Sequence, residues 1–285
     1  MMTLCRFCRG EVDREGYCRQ CGNRSADAWD RRSLGSDAGP FGVSHRGRAH
    51  QVNQDAFTVG RKDSWAFMAL CDGVSSTADA ERAARLAVWE ARKVLLAVAG
   101  TVEPGEALAA AWESARLRLV EISEDMGTLP SCTFVAVLAR GREAWVCSAG
   151  DSRAYWLPSD GEAEVLTHDD ADALGRLTAW LGSTGPTASP VAQHFSFRAD
   201  GLLAVCSDGL WKYAETPGRL RSVLSGSPGP LSRSVLALLE FALDSGGYDD
   251  VSVALCPVPV PPPPSGGAVR AAPARPILSP DGGRP

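Results

Sequence analysis

Asp72, Asp208, Asp151 and Asp249 each stand where an apolar run stops or starts. The runs are WAFMALCDG over 65–73, GLLAVCSDG over 201–209, EAWVCSAGDSRAY over 143–155 and GGYDDVSVAL over 246–255. A short apolar run with no period-2 break reads as a strand buried on both faces. A carboxylate at its end, followed by a glycine that lets the chain turn and present its carbonyl, is a way of holding a hard cation. One Asp-Gly after a strand is ordinarily a turn. Three strand ends and one strand start that all bring carboxylates are harder to read as turns, because buried carboxylates repel one another unless cations or protons neutralise them. Asp72 is the first candidate ligand.

A second group of metal-ligand type lies at the start of the chain, where Cys5-x2-Cys8 and Cys18-x2-Cys21 are separated by nine residues. Two such knuckles suit one tetrahedral, structural Zn²⁺ held by four thiolates, with Gly10, Gly16 and Gly22 permitting the tight turns. A disulfide pair and a redox Cys-x-x-Cys are the alternatives. The first does not suit a cytosolic chain, and the second lacks a thioredoxin-like strand and helix. A ribbon this small has almost no core and is expected to unfold without its metal. Five arginines against three acids make it look basic, but four thiolates on Zn²⁺ bring its net charge near zero, which favours protein docking or structural support over nucleic acid.

With RGRAHQVNQD over 46–55, the Asp-centred segments resemble the metal-dependent PPM/PP2C family of serine/threonine protein phosphatases. The motifs fall in the family's order from about Gly42 to Leu255: Asn53-Gln54-Asp55, Asp72-Gly73, Gly150-Asp151-Ser152-Arg153, Ser207-Asp208-Gly209 and Asp249-Asp250-Val251. Each is weak alone, and five in sequence are specific. The resemblance implies two Mn²⁺ or Mg²⁺ ions. Asp72 bridges them, the Gly73 carbonyl helps complete one site, Asp208 and Asp249 complete the other, and Asp55 accepts in the outer shell. It implies hydrolysis of phosphoserine and phosphothreonine on proteins, the products of serine/threonine kinases, by a water that both cations acidify, without a phospho-enzyme. Asp151 has two readings, a third, weaker metal shared with Asp208 or a structural hydrogen bond to the Ser152-Arg153 turn.

The chain also departs from the family. The arginine expected to bind substrate phosphate, five residues before Asp55, is His50; Arg46 and Arg48 nearby could supply a guanidinium fork, and His50 could equally be a surface histidine. Gln54 replaces a glutamate, Asp250 an asparagine, and Val74-Ser75-Ser76-Thr77 a glycine-rich turn. His50, Gln54 and the absent glycines motivate an alternative function, a catalytically weak pseudophosphatase acting as a signalling adaptor through its zinc ribbon and Pro-rich tail. LTHDD over 166–170 resembles the family's L-T-x-D-H, with a helix cap by Asp169 or Asp170 as its plainer reading.

The elements that must position these residues follow from pattern. Strands are expected at 41–44, 55–59, 131–139, 143–148, 154–157, 164–167 and 251–256, and helices at 78–98, 104–125 and 231–243, with Ser76 or Thr77 capping the first. Short strands in hairpins with helices grouped apart imply an α+β fold of antiparallel sheets covered by helices. The resemblance sharpens this to an α-β-β-α sandwich over 41–256. Residues 1–23 form the ribbon, 24–40 a linker, and 257–285, with ten of the nineteen prolines, a disordered tail. Residues 183–190 are expected to be a mobile loop over the site.

A net charge of -5 and a pI near 5.5 argue against a nucleic-acid or membrane-surface partner, and no run is long and apolar enough to span a bilayer. The expectation is a cytoplasmic monomer.

Overall fold

The computed structural model describes residues 10–11, 18–22, 30–182 and 190–259. The first elements are β1 (Arg31–Gly35), β2 (Phe41–His45), β3 (Asp55–Lys62) and β4 (Trp65–Asp72). Two long helices follow, α1 (Ala80–Val98) and α2 (Pro104–Met126). The middle of the chain gives β5 (Ser131–Cys132), β6 (Phe134–Arg140), β7 (Glu143–Ala149), β8 (Arg153–Pro158), β9 (Glu164–Val165), β10 (Leu181–Gly182) and β11 (Gln193–Ser196). The end adds β12 (Gly201–Cys206), α3 (Asp208–Trp211), α4 (Pro217–Ser225), α5 (Leu231–Asp244) and β13 (Val251–Val258).

Two antiparallel sheets carry the fold, one in the order β1-β2-β13-β12-β8-β9 and the other β11-β7-β6-β4-β3. The period of two along a strand sorts side chains between layers. In β4, Phe67, Ala69 and Cys71 face the core shared with α1 and α2, while Met68 and Leu70 enter the core between the sheets. In β13, Ala254 and Cys256 enter that inner core and Val253 and Leu255 meet α5. The apolar runs show no alternation because both faces are covered, so the arrangement is the expected α-β-β-α sandwich. Each large side chain sealed in these layers contributes roughly 1.5–3 kcal/mol. Many such contributions fix the strand ends against the charge repulsion gathered there.

Three expectations are corrected. The sheet begins inside the stretch expected to be a linker: β1 pairs with β2 from Arg31↔His45 to Gly35↔Phe41. The strand expected over 131–139 breaks at Thr133, β5 pairing with β10 while β6 joins β4 and β7 in the five-stranded sheet. Neither Ser76 nor Thr77 caps α1; Thr77 Oγ1 donates to the Val74 carbonyl at 2.8 Å, closing the turn instead, and the helix starts after Asp79 in the left-handed region at φ 57°. The hairpins, the long helices and the buried thiols Cys71, Cys132, Cys147, Cys206 and Cys256 are as expected. No helix among the described residues is long and apolar enough to cross a membrane.

Candidate metal centre

The carboxylates meet at one end of the two sheets. Asp55 opens β3 directly opposite Asp72 at the end of β4. Asp208 follows β12, and Asp249 and Asp250 precede the neighbouring β13. A hydrogen bond from Ser207 Oγ to Asp55 Oδ2 at 2.7 Å ties the two sheets here. Gly73 and Gly209 permit the close approaches: a Cβ on Gly73 would lie 2.6 Å from the Ala80 carbonyl oxygen, and one on Gly209 only 2.0 Å from that of Asp250. Thr133, at the break between β5 and β6, grips the end of β4 from both sides. Its N–H donates to the Asp72 carbonyl at 2.7 Å, and its hydroxyl accepts from the Asp72 N–H at 2.9 Å.

The electrostatics are those of crowded acids. Burial pushes the Asp72 carboxyl well above its ordinary value, and the charges of Asp55, Asp208, Asp249 and Asp151 add to the effect. Asp55 is pushed well up by burial and by Asp250, Asp249 up by burial and Asp208, and Asp151 up to about 6 by burial and Asp208. Among the described residues two buried carboxylate oxygens, Asp55 Oδ1 and Asp208 Oδ1, accept no hydrogen bond. A buried acceptor without a donor is costly, and an all-oxygen donor set of this kind fits Mn²⁺ or Mg²⁺. The residues present therefore fit a hard cation.

His50, Asp249 and Asp250 also bring potential ligand atoms within 4.8 Å of one another. The oxygens of Asp250 are already committed, however. Oδ1 accepts from Gly47 N at 2.7 Å, and Oδ2 accepts from Gln54 N at 2.7 Å and pairs with His50 Nδ1 at 2.8 Å. Buried Asp250 is thus a strut under the 46–54 loop, a role its position beside Asp249 did not suggest. Its carboxylate holds the His50 imidazole above its ordinary value, against the opposing effect of burial.

The tentative phosphate ligands divide. Arg46 turns away from solvent: its side chain is 9% exposed, its Nε lies 3.4 Å from Asp30, and its guanidinium donates to the His50 carbonyl. It braces the loop rather than offering a fork to phosphate. His50 stays at the cluster, with Nδ1 3.5 Å from Asp249. Gln54 Oε1 accepts from Ser75 Oγ at 2.7 Å, so two of the departures from the family pattern are partners of each other.

Several positioning residues were not singled out from sequence. Asp169, read as a helix cap, takes the Arg153 guanidinium in a fork at 2.9 and 2.7 Å, and Asp170 accepts from Gly150 N at 3.0 Å; neither begins a helix. Trp211 Nε1 donates to the Asp151 carbonyl at 2.8 Å, with Arg153 stacked 3.7 Å above its ring. Lys212 forms an ion pair with Asp208 Oδ2. Its Asp-x-x-x-Lys spacing on a helix was the one available signal.

In the amino-terminal cluster, Cys18 is buried and Cys21 exposed, while Cys5 and Cys8 lie outside the described residues. Cys18 Sγ accepts from Gln20 N at 3.4 Å and from Cys21 N at 3.5 Å. The loop expected over 183–190 falls outside the described residues except for Pro190, and the tail does so beyond Pro259.

A family model described as protein phosphatase 2C matches residues 41–232. Over 76 residues the chain is 34% identical to a probable protein phosphatase 2C 10 of Arabidopsis thaliana, a match spanning 27% of each protein. The structure is similar to the catalytic domain of the serine/threonine protein phosphatase PstP in complex with two manganese ions, with a TM-score of 0.64 at 26% identity over 77% of this chain and 97% of that one. It is likewise similar to the serine/threonine phosphatase Stp1 from Staphylococcus aureus, with a TM-score of 0.68 at 20% identity over 77% and 94%.

The Asp250 strut makes a direct prediction. Asp250→Ala strands the buried Gly47 N–H, the half-buried Gln54 N–H and an imidazole, and is expected to cost on the order of 3 kcal/mol in denaturant unfolding. His50 should titrate at lower pH in that variant when followed by NMR. Because its folded value is raised, the histidine's contribution is full below its unfolded value and fades as pH rises through the folded one, so the loss should be larger near about pH 5.5 than near about pH 8. Unchanged stability and an unchanged His50 titration would contradict the strut.

Proposed function

The chain belongs to the protein phosphatase 2C family, and on that premise we propose that it hydrolyses phosphoserine and phosphothreonine on proteins with Mn²⁺ or Mg²⁺. Asp72, with the Gly73 carbonyl, would hold one cation and share the other with Asp208 and Asp249. Bound there, the two ions would supply an acidified water for in-line attack on phosphorus and neutralise the phosphoryl oxygens. The observation that carries the reading is the pair of buried carboxylate oxygens with no hydrogen-bond donor among the described residues, Asp55 Oδ1 and Asp208 Oδ1, in a cluster where burial and like charge push Asp55 and Asp72 upward.

The protein's own groups do the positioning. Thr133 fixes the backbone of Asp72, and Ser207 links Asp55 to the turn that presents Asp208. The Asp250 strut holds His50 beside Asp249, at the edge where a phosphoryl group would enter. The buried thiols are not nucleophiles; burial pushes Cys147 up to about 12, for example. Substrates would come from serine/threonine kinases, and a monomer suffices because every proposed ligand lies on one chain.

The test is hydrolysis of an aryl phosphate and a phosphothreonine peptide with Mn²⁺ and with chelator. Manganese-dependent turnover that Asp208→Ala reduces to the chelated background is expected. A folded protein with no turnover at saturating Mn²⁺ would overturn the proposal in favour of a pseudophosphatase adaptor.

For the amino-terminal cluster the proposal is one structural Zn²⁺ on Cys5, Cys8, Cys18 and Cys21. The two backbone N–H groups aimed at Cys18 Sγ support it, since such donors favour a thiolate. Metal analysis of the full chain should find one zinc per molecule, lost in Cys18→Ser. Equal zinc in both would contradict this.

A further inference from the structure

Lys212 stands among the acids of the candidate centre, and the resemblance gives it no role. Asp208 opens α3, and the following turn brings the Lys212 side chain back over it, where the ammonium pairs with Asp208 Oδ2. The same carboxylate's other oxygen, Oδ1, is the buried one without a donor. One oxygen of Asp208 is therefore committed to a fixed cation and the other is left for a metal.

Asp151 is held against this turn. The Trp211 indole donates to its carbonyl at 2.8 Å, and the Trp211 ring is stacked under Arg153, whose fork is closed by Asp169. Lys212 Nζ lies 5.8 Å from the centre of that ring. The Lys212 side chain is 55% exposed and that of Asp208 12%, so the ammonium sits at the mouth of the cluster with its charge directed inward. A fixed positive charge at that point repels a divalent ion from the space between Asp208 and Asp151.

We propose that the Lys212 ammonium is a built-in cation occupying the place between Asp208 and Asp151 where a third divalent ion would otherwise bind, so that the chain holds two catalytic ions. The proposal rests on the two-metal reading above, and it resolves Asp151 as a structural residue of the Gly150–Arg153 turn.

The experiment is Mn²⁺ stoichiometry by equilibrium dialysis and calorimetry on the full, zinc-loaded chain. The wild type should bind two Mn²⁺. Lys212→Gln should bind a third, at least tenfold more weakly than the first two, and Lys212→Arg, which keeps the charge, should stay at two. Adding Asp151→Asn to Lys212→Gln should remove the third ion. Because Lys212 is half exposed, its substitution leaves the core intact, and circular dichroism verifies this. A third Mn²⁺ in the wild type, or two in both the wild type and Lys212→Gln, would overturn the proposal. Absence of the first two ions in the wild type would instead be failure of the two-metal reading, and it appears in different binding steps.

Discussion

Like-charge crowding is the constraint on which the rest of this structure depends. Two sheets, each sealed on both faces, end side by side and deliver Asp55, Asp72, Asp151, Asp208 and Asp249 to one place. In water such a group would spread apart. Here the three apolar layers hold the strand ends, and Asp55, Asp72, Asp151 and Asp249 respond by taking up protons more readily, Asp72 and Asp55 most of all. Cations are the other way to relieve the repulsion, and a site that needs cations to be comfortable is prepared to bind them.

The polar residues around the acids divide into braces and counter-charges. Thr133, Ser207 and Trp211 act on backbone or on a single carboxylate oxygen and fix where the acids point. Asp250 is itself an acid, but its three partners make it part of the scaffold. Lys212 brings positive charge to Asp208, and the His50 imidazole, held by Asp250, lies beside Asp249. Arg46, by contrast, is consumed by Asp30 and the His50 carbonyl, so this arginine shapes the 46–54 loop from behind.

Much of this was legible because burial on both faces leaves a plain mark. WAFMALC has no polar break, so β4 and the acid at its end could be read directly, and the same held for GLLAVC of β12. β1 left no such mark: RRSLG is an edge strand with alternate residues exposed, and only pairing with β2 makes it a strand. The strut of Asp250 under Gly47 and Gln54 joins residues about two hundred positions apart, which no local pattern encodes. The Gln54–Ser75 pair was visible as two separate departures but not as one contact. Asp169 and Asp170 looked like helix caps because acids before a turn commonly are, and only the Arg153 fork shows otherwise.

If crowding is the governing constraint, relieving it should stabilise the metal-free protein while disabling it. The decisive measurement is thermal unfolding of the wild type and Asp72→Asn, in chelator and in Mn²⁺, at a pH where an unburied aspartate is ionised. A carboxyl whose folded value is raised costs stability as pH rises above its unfolded value, so the neutral amide removes that cost. In chelator Asp72→Asn should melt above the wild type, and Mn²⁺ should raise the wild type alone. A variant that melts below the wild type in chelator, or that gains as much from Mn²⁺, would contradict the account.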